Sequence, residues 1–221
     1  MELRLVGSEM CIRDSVMIVN HERKFVFVCV PKTGSTTLSK YFKRSGEFDK
    51  PKGHAWLMEK YHYPISKIQK DEDVEGYYKF AYHRNPFDRL VSSWIDFSQD
   101  KAHLRTWSEN LAKQFKSWED FSKNFVDTEW ANEIHFQPTT YYTHVDGVQA
   151  VDHIARYENF SEETQFIFKT VGINYRSEDF NHRFRKTNRD KDYRKYYKDD
   201  KTIENVSKHF SKDLETFGDK F

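Results

Sequence analysis

KFVFVCVPKTGSTTLSKYFKR, Lys24–Arg44, carries the reading of the fold. The run KFVFVCV is short, β-branched and aromatic, with charge before it and Pro31 after it, which predicts a buried strand over Lys24–Val30. Beyond the loop, Ser35 or Thr36 caps a helix whose Leu38, Tyr41 and Phe42 share one face. Strand, tight loop and helix in that order place Val28–Leu38, VCVPKTGSTTL, at a helix N-terminus. Backbone N–H groups of Ser35, Thr36 and Thr37 then point outward, where the helix dipole favours an anion. Gly34 permits close approach of the backbone, Lys32 adds a mobile positive charge, and three consecutive hydroxyls add donors. Those features describe a cradle for phosphate or sulfate. The loop is not a Walker A sequence, which requires Lys after its second Gly; here Lys32 precedes the loop's only Gly.

The pattern recurs. YYKFAYH, Tyr77–His83, reads as a second strand, and Pro86 suits the first turn of a helix carrying Phe87, Leu90, Val91 and Trp94 at spacings of three and four. Two strand–loop–helix units in succession predict an α/β fold: a small parallel sheet flanked by helices, with a ligand at the carboxyl ends of the strands. His153–Tyr157 is a third strand candidate, followed by a helix over Ser161–Val171 that Gly172 ends. Short helices are expected at Ala55–Tyr61, Pro64–Lys70 and within Asp100–Trp130, including Ser117–Phe125. Asn174–Asp200 is rich in Arg, Lys, Asn and Tyr without periodicity and reads as a long basic loop. A last helix places Ile203, Val206, Phe210, Leu214 and Phe217 on one stripe and stops at Gly218. Arg84 stands where the second strand ends, and Ser92 two turns into the next helix, so together they suit a second phosphate.

Composition bounds the function. With Lys+Arg 36 against Asp+Glu 35, the chain lacks the basic excess of a general nucleic-acid binder. No apolar run is long enough for a transmembrane helix, and Met1–Val16 has no secretory h-region, so a cytoplasmic protein is expected. Arg4–Ser15, RLVGSEMCIRDS, resembles the translation of a transposase-based sequencing adapter. Residues 1–16 are therefore read as a non-native extension and 17–221 as one domain with its natural start near Met17. Cys11 falls in the suspect stretch, which leaves Cys29 as a small buried apolar residue and no disulfide or metal cluster.

The loop Pro31, Lys32, Thr33, Gly34, Ser35 and Thr36 resembles, position by position, the 5′-phosphosulfate loop of sulfotransferases that use 3′-phosphoadenosine 5′-phosphosulfate (PAPS). Arg84, Asn85, Pro86, Arg89 and Ser92 resemble the 3′-phosphate motif R-[ND]-P-x-x-R-x-x-S of the same family, with His83 where relatives carry an apolar residue. KGHAWLMEKY (Lys52–Tyr61), IHFQPTTYY (Ile134–Tyr142), ARYENFSEE (Ala155–Glu163) and the tail KTNRDKDYRKYY with DLETFGDKF are similar to further segments of small bacterial Golgi-type carbohydrate sulfotransferases. Thr139 replaces the usual Gln, and Asp219 the usual Tyr.

The resemblance implies a P-loop-like sulfotransferase fold and metal-independent, in-line transfer of a sulfuryl group from PAPS to a hydroxyl of a carbohydrate. Lys32 would stabilise the bridging oxygen and His54 would take the acceptor proton, a role suited to imidazole near neutral pH. Loop amides and hydroxyls from Pro31 to Thr37 would hold the 5′-phosphate, and Arg84 with Ser92 the 3′-phosphate. Arg185, Asn188 and Arg189 of the basic loop would close over the nucleotide. His83 reads instead as a strand residue with a satisfied ring, and Arg89 equally as ligand or as salt-bridge partner. Two other readings stay open: a nucleotide phosphotransferase with a degenerate P-loop, and a non-catalytic nucleotide- or glycan-binding protein of the same fold.

If Arg4–Ser15 is translated adapter, deleting Met1–Val16 leaves the melting temperature and PAPS affinity unchanged. A fall of several degrees would show that the segment packs.

Overall fold

In the computed structural model the described residues are 18–45, 62–99, 105–180 and 189–221. In chain order the elements are β1 (Ile18–Asn20), β2 (Phe25–Val28), α1 (Ser35–Ser45), α2 (Ile65–Asp71), β3 (Tyr78–His83), α3 (Pro86–Gln99), α4 (Arg105–Gln114) and α5 (Trp118–Asn124). There follow α6 (Thr139–Thr143), β4 (His144–Val145), β5 (Val148–Gln149), β6 (His153–Arg156), α7 (Phe160–Thr170), α8 (Asp200–His209) and α9 (Ser211–Phe217). They group into two compact units, one drawn from 18–84 and 139–180, the other from 85–138 and 189–221. No described helix is long and apolar enough to cross a membrane.

The first unit holds a four-stranded sheet in the order β1-β2-β3-β6, and the pairs β2–β3 and β3–β6 are parallel. All four residues of β2, FVFV, are buried, because a parallel strand has both faces covered and needs no polar alternation. Register pairs Phe27 with Phe80, and their rings stack at 5.2 Å. Phe25, Phe42, Ile167 and Phe168 complete the core beside them, so the expected α1 face does pack on the sheet. Helix α7 ends as its sequence predicts. Gly172 takes φ 72°, and the Ile173 N–H reaches back to the Phe168 carbonyl at 2.7 Å, closing a Schellman turn. Cys29 is buried, which pushes its thiol up to about 12 and leaves it inert.

Two elements of this unit carry no clear sequence pattern. Strand β1 is three residues long and pairs antiparallel with β2, so the parallel part of the sheet is only three strands wide. The β4–β5 hairpin turns on Asp146 and Gly147, both at positive φ.

The second unit is helical, with an aromatic core of Phe87, Phe97, Phe121, Phe125 and Phe136. Ser117 caps α5 by accepting from the Asp120 N–H, and Asp199 caps α8 by accepting from Thr202. The last helix expected from the stripe Ile203–Phe217 is instead two, α8 and α9, broken at Phe210. Phe210 leaves helical geometry at φ −100°, ψ 21°, and its buried ring lies against the Arg89 guanidinium, 5.2 Å away. Asp213, rather than an apolar residue, is then fully buried beyond the break. Gly218 at φ 69° ends α9 as expected. The basic stretch Asn174–Asp200 is less open than its composition suggests: short 3-10 turns form at Ser177–Phe180 and Tyr193–Tyr196, and Tyr193 and Tyr197 are buried. The helix expected at Ala55–Tyr61 lies outside the described residues.

Candidate active site

The loop between β2 and α1 owes its shape to two left-handed residues. Lys32 takes φ 64° and Gly34 φ 87°, with Thr33 between them. Alternation of this kind turns successive N–H groups toward one concave side, a nest that suits an anion. For Lys32, a residue with a Cβ, the conformation costs about 1–2 kcal/mol. The loop is fastened from within: the buried Thr33 hydroxyl donates to the Val30 carbonyl at 2.8 Å. Thr33 thus offers a ligand its backbone N–H and not its side chain. The Thr37 and Leu38 amides both donate to the Gly34 carbonyl, at 3.0 and 3.2 Å. Ser35 and Thr36 open the helix, where N–H groups have no partner within the helix itself. No acidic residue stands in the first turn of α1, so its positive end is not neutralised by its own helix.

Gly34 also matters to the packing behind the loop. A Cβ there would lie 2.7 Å from Cε2 of Phe160 and 3.3 Å from Cε2 of Tyr157. Phe160 cannot swing aside freely, since it packs on Tyr82 at 5.2 Å and on Phe180 at 6.0 Å. The close approach is therefore to two aromatic rings, which brace the loop from its far side.

The next parallel strand delivers Arg84. It follows His83 at the end of β3, is only 6% exposed, and donates from Nη1 to the Lys32 carbonyl at 3.1 Å. Its guanidinium lies over the Tyr157 ring, 4.6 Å from the centroid. Tyr157 begins a 3-10 turn, Tyr157–Asn159, directly after β6. The expected strand His153–Tyr157 thus stops one residue early, freeing Tyr157 to turn toward Arg84. The ends of three neighbouring parallel strands supply the loop, the arginine and the ring.

A cationic loop at strand ends, leading into a helix with no acidic side chain in its opening turn, suits an anion. A sequence profile of the sulfotransferase family matches residues 15–219. The chain belongs to the sulfotransferase family. Comparison with curated proteins and with solved structures returns no match. The α/β architecture, a parallel-strand sheet flanked by helices, agrees with the P-loop-like fold that membership implies.

The other candidate residues of this sulfotransferase fall as follows. Pro31, Thr33 and Ser35 are buried in the loop, while Lys32, Gly34, Thr36 and Thr37 are half-buried. Ser92 is 7% exposed on α3, in the second unit. There Asn85 caps α3 by accepting from the Phe87 N–H at 3.0 Å and donates to the Lys220 carbonyl. Arg89 is buried and donates to the Gln137 carbonyl, a place that fits a structural stitch between α3 and the chain before α6. Arg189 is ion-paired with Asp88 at 2.6 Å, which anchors the basic segment to the first turn of α3. His83 is fully buried, its Nδ1 2.9 Å from the Thr139 hydroxyl, as a satisfied strand histidine. His54, Arg185 and Asn188 lie outside the described residues.

Sequence reading gave no role to His62, Tyr157 or Phe160. His62 is 4% exposed at φ 50°, and its Nδ1 lies 2.6 Å from the Cys29 carbonyl. A carbonyl only accepts, so that nitrogen carries the proton and donates. The sign of Tyr157 was available, as an aromatic immediately after the third parallel strand; nothing local marked His62.

Gly34→Ala combines a left-handed Cβ residue, costing about 1–2 kcal/mol, with overpacking against Phe160, costing about 1–3 kcal/mol. It is expected to lower the melting temperature by several degrees and to abolish nucleotide binding. A variant matching the unmutated protein in calorimetry and in binding would contradict the geometry described for the loop.

Proposed function

We propose that this sulfotransferase takes its sulfuryl group from PAPS and places it on a carbohydrate hydroxyl. The observation that supports this reading most is the single assembly of Lys32, the α1 N-terminus and Arg84, which offers one cationic end to each phosphate of such a donor. In the reaction an acceptor oxygen forms a bond to sulfur while the bond from sulfur to the 5′-phosphate oxygen breaks. The acceptor proton passes to His54, and adenosine 3′,5′-bisphosphate departs. Lys32 and the amides of Ser35 and Thr36 meet the charge that grows on the 5′-phosphate, a contribution that counts most in the transition state. Arg84 takes the 3′-phosphate, and the resemblance of the motif gives Ser92 the same role. Arg185 and Asn188 cover the nucleotide. A carbohydrate acceptor is supported by the similarity of the Lys52–Tyr61 and Ile134–Tyr142 segments to Golgi-type enzymes.

Transfer of labelled sulfate from PAPS to a panel of polysaccharides tests the whole reading; strict dependence on ATP and Mg²⁺ with no sulfate transfer would overturn it.

For the nucleotide, adenosine 3′,5′-bisphosphate is expected to bind far more tightly than adenosine 5′-monophosphate. A charge-assisted bond to phosphate is worth about 1.5–3 kcal/mol. Arg84→Ala should remove most of that preference in a binding titration, and retention of the full preference would contradict the assignment.

At the reacting centre, His54→Ala should cost about a hundredfold to ten-thousandfold in turnover while nucleotide affinity stays near its original value. Lys32→Ala should damage both. A His54→Ala enzyme with undiminished turnover assigns the base elsewhere.

A further inference from the structure

We propose that Tyr157 is a positioning residue that sets the strength of the 3′-phosphate subsite by holding Arg84 in place, an inference that rests on the assignment of Arg84 to that phosphate. Because His83 pairs with Arg156 across the parallel strands β3 and β6, Arg84 and Tyr157 are the next residues on neighbouring strand ends. Their side chains meet there, the guanidinium 4.6 Å above the ring centroid. From the same guanidinium, Nη1 donates to the Lys32 carbonyl at 3.1 Å. The edge of the Tyr157 ring also faces Gly34, whose Cβ would stand 3.3 Å from it. Lys32, Gly34, Tyr157 and Arg84 therefore close a circuit: the ring bears on the loop that cradles one phosphate and on the arginine that takes the other.

An arginine side chain is long and rich in rotamers, and it loses that freedom when it grips a ligand. One held beforehand by a ring face and a carbonyl spends less of its binding energy on ordering. The ring face does this and not the phenol oxygen, so the role is that of an aromatic at position 157 rather than of tyrosine in particular. Phe160 cannot substitute, because its ring packs against Tyr82 and on the Gly34 side of the circuit.

The readout is the ratio of affinities for adenosine 3′,5′-bisphosphate and adenosine 5′-monophosphate, measured by calorimetric titration. General damage to the fold or to base contacts weakens both nucleotides and leaves that ratio alone. Tyr157→Leu should lower the ratio by about 2- to 30-fold, Tyr157→Phe should keep it, and adding Tyr157→Leu to Arg84→Ala should lower it no further. Should Tyr157→Leu fail to fold, stepwise fluorinated phenylalanines at position 157 preserve the shape while draining the ring face of negative charge. The ratio should then fall with each added fluorine. An unchanged ratio in Tyr157→Leu, or a flat response to fluorination, overturns the inference while leaving the 3′-phosphate assignment intact. Equal affinity for the two nucleotides in the unmutated protein overturns the assignment, and the inference with it.

Discussion

The parallel pairing of β2, β3 and β6 is the constraint on which the site depends. Phe27 stacked on Phe80 sits at a register pair, and the same register carried one strand further sets His83 opposite Arg156. A slip of one residue would turn every side chain of a strand to the opposite face. Burial of the aromatic and β-branched residues on these strands makes such a slip costly, so the core fixes the rims. Pro31–Gly34, Arg84 and Tyr157 thus issue from adjacent strand ends as a consequence of packing several residues away.

At those strand ends the electrostatics are built mostly from backbone. Two residues at positive φ give the loop a shape that suits an anion, and an eleven-residue helix adds the positive end of its dipole. Lys32 and Arg84 supply the full charges. Arg84 meanwhile donates to the Lys32 carbonyl, so its guanidinium is a strut for the loop. The strain at Lys32 is stabilised by its surroundings: the Thr33 hydroxyl bond beneath it, the aromatic pair behind Gly34 and the arginine at its carbonyl. His62, donating to the Cys29 carbonyl, steadies the chain just upstream.

Much of this was legible in the sequence because it rests on local pattern. Strands β2 and β3, helices α1 and α3, the Schellman end of α7 at Gly172 and the stop at Gly218 each follow from apolar spacing and glycine placement. The family, too, was legible from the loop Pro31–Thr36 and the motif running from Arg84 to Ser92, and the sulfotransferase profile spanning residues 15–219 agrees. What escaped depends on contacts distant in sequence. The break at Phe210, whose ring meets Arg89, is not recorded in the helical period. Strand β1 is too short to show alternation. The two rings that a Cβ at Gly34 would meet, those of Tyr157 and Phe160, lie more than a hundred residues along the chain. Tyr193 and Tyr197 looked like part of a solvated basic loop, and they are buried in the aromatic core of the helical unit.

Hydrogen–deuterium exchange with and without adenosine 3′,5′-bisphosphate tests the central claim, that the turn between β2 and α1 is the 5′-phosphate cradle. Peptides covering Lys32–Thr37 and the β3 end at Arg84 should gain protection on ligand addition, while peptides from the β4–β5 hairpin should not change. Binding that leaves the Lys32–Thr37 amides as exchangeable as before would contradict the account.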